Sequence, residues 1–350
     1  MAYYNAIQSF PLDNDQFLFF DIFARNQEIV LLCPQYIDVS NMDVSINSEK
    51  LNIKFIDDTS GCGHSPIHIV VYSFIGEPND NHIQVSVKYN DNELTFRLFY
   101  FETIESDKKL LTLTTLFKDD FYLLDFFIPY YQNQGIQHFY MYYNGKLDDL
   151  AKKYNIVDNP LITWLEWDHQ YHKEGYLCYH AQISQVNHAL YKYGKPYSEY
   201  MTFCDLDEYL SVRIQQLKMI DIIEIEMLQS DNSESPPLDT IGFCNSWATH
   251  KDKYIPKTVP IHFYASSKCY GYGNRSKCIH RTRNINVIRN IHAKDKQKNE
   301  SEHFASNTVF MMFHFYNWSN PLRSVDNALN DIQYIMDASY NIHRIIPDDA

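Results

Sequence analysis

The 350-residue chain has little glycine, 10 residues, and only 4 tryptophans. So few glycines exclude a collagen-like repeat and a flexible Gly-rich linker. Long apolar runs are absent: stretches such as IVLLC at 29–33 fall far short of the ~20 residues a membrane-spanning helix needs. The opening MAYYNAIQSFPLDNDQ has no basic segment followed by an apolar one, the pattern of a secretory signal. Cysteine is sparse and odd in number: Cys33, Cys62, Cys178, Cys204, Cys244, Cys269 and Cys278. No CxxC occurs among them, so neither a disulfide framework nor a structural zinc site is expected. Cys178, Cys204 and Cys244 sit in apolar contexts and read as core thiols. These absences predict a protein of a reducing compartment, cytoplasmic or otherwise soluble, with no transmembrane segment.

Positive charge is also in deficit, 30 Lys and Arg against 44 Asp and Glu, for a net charge of −14. A general nucleic-acid binder needs the opposite balance, because cationic side chains must displace counterions. The deficit is uneven. Residues 1–105 carry 15 acids against 5 bases, whereas residues 251–300 carry 12 bases against 3 acids. The basic segment reads either as a solvated face or as a site for an anionic ligand such as a diphosphate.

The chain is 45% hydrophobic and 21% charged, which fits a packed globular core, and 350 residues suit two domains or one large one. Residues 1–108 contain short β-branched or alternating runs (QFLFFDIF, EIVLLC, LNIKFI, IHIVVYSFI, HIQVSVKY, ELTFRLFYF) separated by turn-forming clusters. This spacing predicts an N-terminal all-β, sandwich-like accessory domain. From residue 109 to 350 the texture changes. LLTLTTLF (110–117) predicts a strand. A helix capped by Asp119 or Asp120 follows to about Asn133, with Gly135 as its stop. QHFYMYY, a short helix near 147–154, LITWLEW, a helix near 174–193 and EYMTFCDLDEYL (199–210) continue a βαβ rhythm, which predicts an α/β domain with a parallel sheet. Helices are also expected at 214–228 and 321–338.

The acids Asp205, Asp207 and Glu208 fall at the end of the last of these strands, the edge where such sheets bind ligands. On a strand, residues i and i+2 share a face, so Asp205 and Asp207 are expected side by side. Two carboxylates there repel unless a cation lies between them, and their oxygens suit Mg²⁺ or Mn²⁺. A lone DxD is a weak signal, since a solvated strand end looks the same; the βαβ context strengthens it.

Longer blocks carry a resemblance. LTTLFKDDFYLLDFFIPYYQNQGIQHFYMYYN (113–144) resembles the first strand, helix, glycine and second strand of glycosyltransferase family 92. Asp125 stands where that family usually has Glu. Tyr143-Asn144 stands for its Asp-Asn, and Asp148 fits a following acid. TWLEW and AQISQVNHALYKYG resemble the next strand and helix, matching Gln182 and Asn187 but with Ala189 in place of Cys. EYMTFCDLDEYL is the nearest match, to F-x-D-x-D-E-F-L. KCIHRTRNINVIRNIHA keeps Lys277, Ile279, Arg281 and His292, with Thr282 in place of Pro, and HFYNWS supplies His314. The resemblance spans about residues 110–320.

It implies a GT-A (Rossmann-like) glycosyltransferase domain, related to family-2-like enzymes, which moves a hexose, galactose favoured, from a UDP-sugar to a hydroxyl of a glycan or glycosylated acceptor with inversion. The implied cofactor is Mn²⁺ (or Mg²⁺) at Asp205 and Asp207, with His292 or His314 as a further ligand. Asn144, Asp205 and Gln182 become nucleotide-sugar contacts, and Lys277 and Arg281 share the diphosphate charge. Asp148 is expected as a helix cap and Asp125 as a buried acid paired to a base. An inverting transfer needs a base near the acceptor hydroxyl; Asp252, Glu208 and His250 are the candidates, with Glu208 read first as an ion-pair partner. Two rivals stay open: a non-catalytic carbohydrate-binding or adhesion protein with a relic GT-A domain, and a metal-dependent nucleotide phosphohydrolase using the same acids.

Overall fold

The computed structural model describes residues 7–12, 16–58, 67–76, 81–156, 158–171, 180–214, 216–231, 239–249, 264–266, 276–289, 302–304, 310–315, 318 and 335–337. The chain divides into two compact units. The first comprises Met1–Lys108, His169–Ser198 and Asn286–Asn290; the second comprises Lys109–Asp168, Glu199–Ile285 and Ile291–Ala350.

In the first unit, β1 (Asp21–Arg25), β2 (Glu28–Pro34), β3 (Met42–Ile46), β4 (Glu49–Lys50), β5 (Asn52–Asp58), β6 (Ile67–Ser73), β7 (His82–Tyr89) and β8 (Asn92–Phe101) join in the order β4-β3-β7-β8-β1-β2-β6-β5. All pairings but one are antiparallel; β1 and β8 meet in parallel over Ala24↔Tyr100 and Arg25↔Phe101. The hairpins β1–β2 and β3–β4 turn through Asn26-Gln27 and Asn47-Ser48, all four at positive φ. Two such residues in succession match the right-handed twist of the flanking strands, and asparagine tolerates that backbone better than most side chains. In β7 the side chains alternate, with Ile83, Val85 and Val87 buried, and strands of both halves share one core from Leu18 to Tyr100. The sequence reading missed β3, whose apolar pattern is only Met42, Val44 and Ile46.

The helix His180–His188 runs into a π-helical turn at Ala189–Gly194 and belongs to this first unit. It carries an ionic cluster. Asp21, fully buried, accepts from the backbone N–H groups of Gln8 at 2.7 Å and Ile22 at 2.9 Å through Oδ1. Its Oδ2 accepts from His188 Nε2 at 2.8 Å and Lys192 Nζ at 2.7 Å. Burial alone would raise the Asp21 carboxyl, but Lys192 and His188 outweigh it and hold it below the ordinary value. Burial pulls the His188 imidazole down to about 4, so the ring is neutral at pH 7. The unfolded chain takes up this proton near pH 6.5 and the folded chain only near 4, so between those values the unfolded state binds more protons and acid favours it. Stability is therefore expected to fall by on the order of 2–3 kcal/mol as pH drops from 6.5 to 4. Urea unfolding at pH 7 and pH 5 measures this, and His188→Gln should flatten the slope; an unchanged slope in that variant would remove His188 as the cause.

The second unit is a mixed α/β assembly with two sheets. One has the order β11-β10-β9-β12-β17-β14-β18, from β9 (Lys109–Phe117), β10 (His138–Tyr143), β11 (Ile162–Glu166), β12 (Ser198–Phe203), β14 (Thr240–Phe243), β17 (Lys277–Arg281) and β18 (Glu302–Phe304). Strands β9, β10 and β11 pair in parallel, as their apolar runs predict for strands covered on both faces. Beyond the βαβ stretch the sheet becomes mixed: β17 runs antiparallel to both β12 and β14. The other sheet has the order β13-β19-β15-β16-β20, from β13 (Glu208–Val212), β15 (Asn245–Thr249), β16 (Tyr264–Ser266), β19 (Phe310–Phe315) and β20 (Ile335–Asp337).

Helix Leu124–Asn133 follows β9 through a 3-10 turn at Phe121–Leu123. Asp120 makes no side-chain cap there; its Oδ1 accepts from Lys118 N–H at 3.2 Å instead. Pro129 stands inside the helix, and the chain leaves through Gly135 at φ +92. A side chain at Gly135 would be strained at that φ and would overlap Ile220, so glycine is required on both counts. The later helix is Met219–Asp231 rather than 214–228. Of the helix expected at 321–338, residues 321–334 and 338 lie outside the described residues, and Ile335–Asp337 is a strand. Among the described residues no helix is long and apolar enough to cross a membrane.

Candidate active site

The strand expected at 199–210 breaks in two, and the break makes the site. Strand β12 ends at Phe203 and β13 begins at Glu208. Between them Glu208 N–H donates to the Asp205 carbonyl at 3.0 Å, the i to i+3 bond of a β-turn with Leu206 and Asp207 at its corner. Glu208 Oε2 also accepts from Asp205 N–H at 2.8 Å, closing the turn a second time. Leu206 is buried and anchors the corner, while Phe315 N–H donates to the Asp207 carbonyl at 2.8 Å. The strand-alternation argument for Asp205 and Asp207 is thus replaced by turn geometry.

Strands β17 and β19 bring the partners. Lys277, at the start of β17, is buried and lies 2.9 Å from Glu208 Oε2 and 3.3 Å from Asp205 Oδ2. His314 sits opposite Glu208 in the antiparallel β13–β19 pair. Its Nε2 is 3.6 Å from Asp207 Oδ2 and its Nδ1 is 3.7 Å from Glu208 Oε1. Asp205 is the most open of the acids, with 31% of its side chain exposed, against 5% for Asp207 and none for Glu208.

Burial pushes the Glu208 carboxyl up to about 7, against the pull of Lys277 and His314 and with a further push from Asp205 and Asp207. Burial disfavours the Lys277 ammonium, yet Asp205 and Glu208 carry it above the ordinary lysine value. Asp120, which the sequence offered only as a helix cap, is also drawn in: burial and then the charge of Asp207 raise it to about 7. Tyr122 joins this rim, its hydroxyl donating to Trp318 O at 2.8 Å. Trp247, in β15 beside β19, stacks on His314 with ring centroids 4.8 Å apart.

The other candidates are placed differently. Arg281 is at the far end of β17 from Lys277, its Nε on Glu199 at 2.6 Å, and Arg283 lies 3.8 Å from the same carboxylate. Asn144 is buried; its side chain donates to Trp167 O at 2.9 Å and its N–H to Phe117 O at 2.8 Å. Gln182 is in the first unit and accepts from Tyr171 OH at 2.8 Å. Asn187, likewise there, ties both its amide groups to the backbone of Ile288. Asp125 is exposed and accepts from Tyr154 OH at 2.9 Å, so it is not a buried acid paired to a base. Asp148 lies within the first turn of helix Leu147–Ala151 rather than at its cap, which is Lys146. Glu208 is closed into an ion pair with Lys277 and has no exposed side-chain surface. His250, Asp252 and His292 lie outside the described residues.

Asp207 and His314 offer carboxylate and imidazole donors side by side, and Asp205 adds a part-exposed carboxylate, a set whose chemistry suits Mn²⁺ or Mg²⁺. Glu208 Oε1, buried and without a hydrogen-bond partner, faces the same ring. Among the described residues, no three His, Cys, Asp or Glu side chains gather as a complete metal cage. Substrate phosphates can complete the coordination of such a cation, as they do for Mg²⁺.

The sequence model of glycosyltransferase family 92 matches residues 113–341, about two thirds of the chain, and takes in the acid turn, Lys277 and His314. The chain belongs to glycosyltransferase family 92. Membership makes this protein a glycosyltransferase, with a sugar donor and a glycan acceptor. No match is found among curated proteins. Among solved structures, the chain is similar to 4-diphosphocytidyl-2C-methyl-D-erythritol synthase from Anaerococcus prevotii, with a TM-score of 0.28 and 9% identity over 57% of this chain and 91% of that one. It is also similar to HddC from Yersinia pseudotuberculosis, with a TM-score of 0.29 and 10% identity over 58% of this chain and 92% of that one. Likenesses of this size carry no conclusion about fold or chemistry. The family 92 match and the acid turn rest on the same stretch of chain.

Proposed function

We propose that this family 92 glycosyltransferase has a GT-A catalytic domain and transfers a hexose, galactose favoured, from a UDP-sugar to a hydroxyl of a glycan or glycosylated acceptor. The observation that carries the reading is the turn Asp205–Glu208, which presents Asp207 beside His314 while Lys277 and Glu208 lock its base. Asp207, His314 and Asp205 would hold Mn²⁺ or Mg²⁺ together with the donor diphosphate. Bound there, the cation would act as a Lewis acid for the leaving UDP.

The protein's own residues do the rest. Asp205, the open acid, orients the donor at the turn. Lys277 neutralises Glu208 and Asp205, so the turn keeps its shape with two acids at its base and a third at its corner. This assigns Lys277 to the turn rather than directly to the diphosphate. Arg281 lies at the other end of β17 from Lys277, with its Nε on Glu199. The transfer is proposed to invert the anomeric carbon, with Asp252, Glu208 or His250 as the base that takes the acceptor proton. Release of UDP from UDP-galactose, UDP-glucose and their N-acetyl forms, with Mn²⁺ and with EDTA, tests the reading. Mn²⁺-dependent UDP release is the expected result; full activity in EDTA would remove the metal from it, and phosphate release from nucleotides in place of UDP release would favour a phosphohydrolase.

A further inference from the structure

Strands β9 and β12 are neighbours in the sheet, and Cys204 N–H donates to the Thr114 carbonyl at 3.4 Å, so the acid turn leaves β12 beside the last residues of β9. A chain of hydrogen bonds ties the loop after β9 to that turn. Tyr122 OH donates to Trp318 O at 2.8 Å, Trp318 N–H to Phe315 O at 3.0 Å, and Phe315 N–H to Asp207 O at 2.8 Å. Asp120 stands in this loop, half-buried. The loop itself holds it: Oδ1 accepts from Lys118 N–H at 3.2 Å, and the Asp120 carbonyl accepts from Leu123 N–H at 2.9 Å. Burial and then the charges of Asp120 and Asp207 raise the Tyr122 hydroxyl, so both carboxylates lie near it. The side-chain charges that act on Asp120 are themselves negative, Asp207 first and Asp205 after it, and among the described residues no cation is paired with it. Lys277, by contrast, serves Glu208 and Asp205.

Carboxylates held near one another repel unless a cation lies among them. We propose that Asp120 is a third carboxylate of the cation site, adding negative charge and a hydrogen-bond acceptor to the hydration shell of the divalent ion, so that the donor diphosphate enters only together with its cation. The inference rests on the reading of Asp207, His314 and Asp205 as that site. Among the described residues no three His, Cys, Asp or Glu side chains gather as a metal cage, so Asp120 acts on the ion through its water rather than by direct contact. Mg²⁺ usually keeps several waters when bound, which leaves such a role open to a nearby carboxylate. An ion among these acids favours their charged form, and without it the same charges repel a diphosphate. Asparagine at position 120 keeps an oxygen for Lys118 N–H and loses only the charge, so the loop is expected to hold its shape.

The test is Mn²⁺ binding to the full chain in the presence of UDP, followed by calorimetry and by electron paramagnetic resonance of free Mn²⁺, together with UDP binding in EDTA. Asp120→Asn is expected to weaken Mn²⁺ by about 10–100-fold, the range seen when groups around metal ligands are replaced. UDP affinity in EDTA should hold or tighten in the same variant, because a repelling charge is gone. Asp119→Asn, which removes the exposed acid next to it, should stay within about twofold of wild type, since solvent and salt screen that charge. Melting curves identify a variant that fails to fold, and Asp120→Ser, which also keeps an acceptor for the loop, then stands in for Asp120→Asn. Wild-type Mn²⁺ affinity in a folded Asp120 variant would overturn the proposal, as would an equal loss in Asp119→Asn. Weaker UDP binding in EDTA would place Asp120 on the nucleotide itself and overturn it too. Wild-type protein that binds no Mn²⁺ with UDP would overturn the cation reading, and Asp120's role with it. The wild type alone therefore tells the two failures apart.

Discussion

Asp207→Asn is expected to cut sugar transfer by roughly a thousandfold or more, with the fold intact. The side chain keeps its shape and the backbone carbonyl of residue 207 keeps its bond from Phe315, so the corner of the turn survives. What is lost is the negative charge beside His314, the charge on which a cation and its diphosphate depend. Loss of that charge also relieves repulsion, since Asp207 raises both Asp120 and Glu208. The melting temperature should therefore hold or rise slightly while UDP release collapses and Mn²⁺-dependent UDP binding disappears. That separation distinguishes a working charge from a structural one, and retention of activity in a folded variant would sink the assignment.

Lys277→Ala should give the opposite pattern, a large loss of stability. Its ammonium is buried between Glu208 and Asp205, and Glu208 has no exposed side-chain surface. Removing one member of such a pair strands the other, at a cost of about 3–5 kcal/mol. Glu208 can escape by binding a proton. Its folded value is already raised to about 7, and without Lys277 it climbs further. The folded variant then holds a proton over a pH range where the wild type has released it, so its deficit widens as pH rises above 7. Urea unfolding should show a larger difference from wild type at pH 8.5 than at pH 6. Lys277→Ala combined with Glu208→Gln should recover much of the loss, because the stranded charge is gone. A double variant no better than the single one would mean that Lys277 stabilises by packing alone.

Much of the second unit was legible because its signals are local. The run LLTLTTLF makes β9, and HFYMYY makes β10, since β-branched and aromatic residues in unbroken apolar stretches suit strands covered on both faces. Asp205, Asp207 and Glu208 were legible as a group, but their geometry was not. Alternation along a strand was the natural expectation, and it fails because the Glu208 carboxylate folds back onto Asp205 N–H, a competition that apolar patterning does not register. Resemblance singled out Lys277 and His314, while their packing was legible only once β17 and β19 had found their places. Trp247 and Asp120 gave no signal of their own. Trp247 reaches the site through the register of β15 on β19, and Asp120 through the charge of Asp207. Nor did any pattern join Asp21 to His188 and Lys192, which lie 167 and 171 residues further along the chain.

That last separation has a consequence for how the protein is made. Each compact unit is assembled from three stretches of chain. A ribosome adding roughly 5–20 residues per second delivers Asp21 some 10–30 seconds before Lys192. For that interval the nascent strands around Asp21 contain a carboxylate whose His188 and Lys192 partners do not yet exist, and water must solvate its Oδ2. The first unit therefore cannot close its buried ion cluster as it emerges; that closure waits on a helix synthesised after β9, β10 and β11. A cut after residue 108 would make that waiting state permanent.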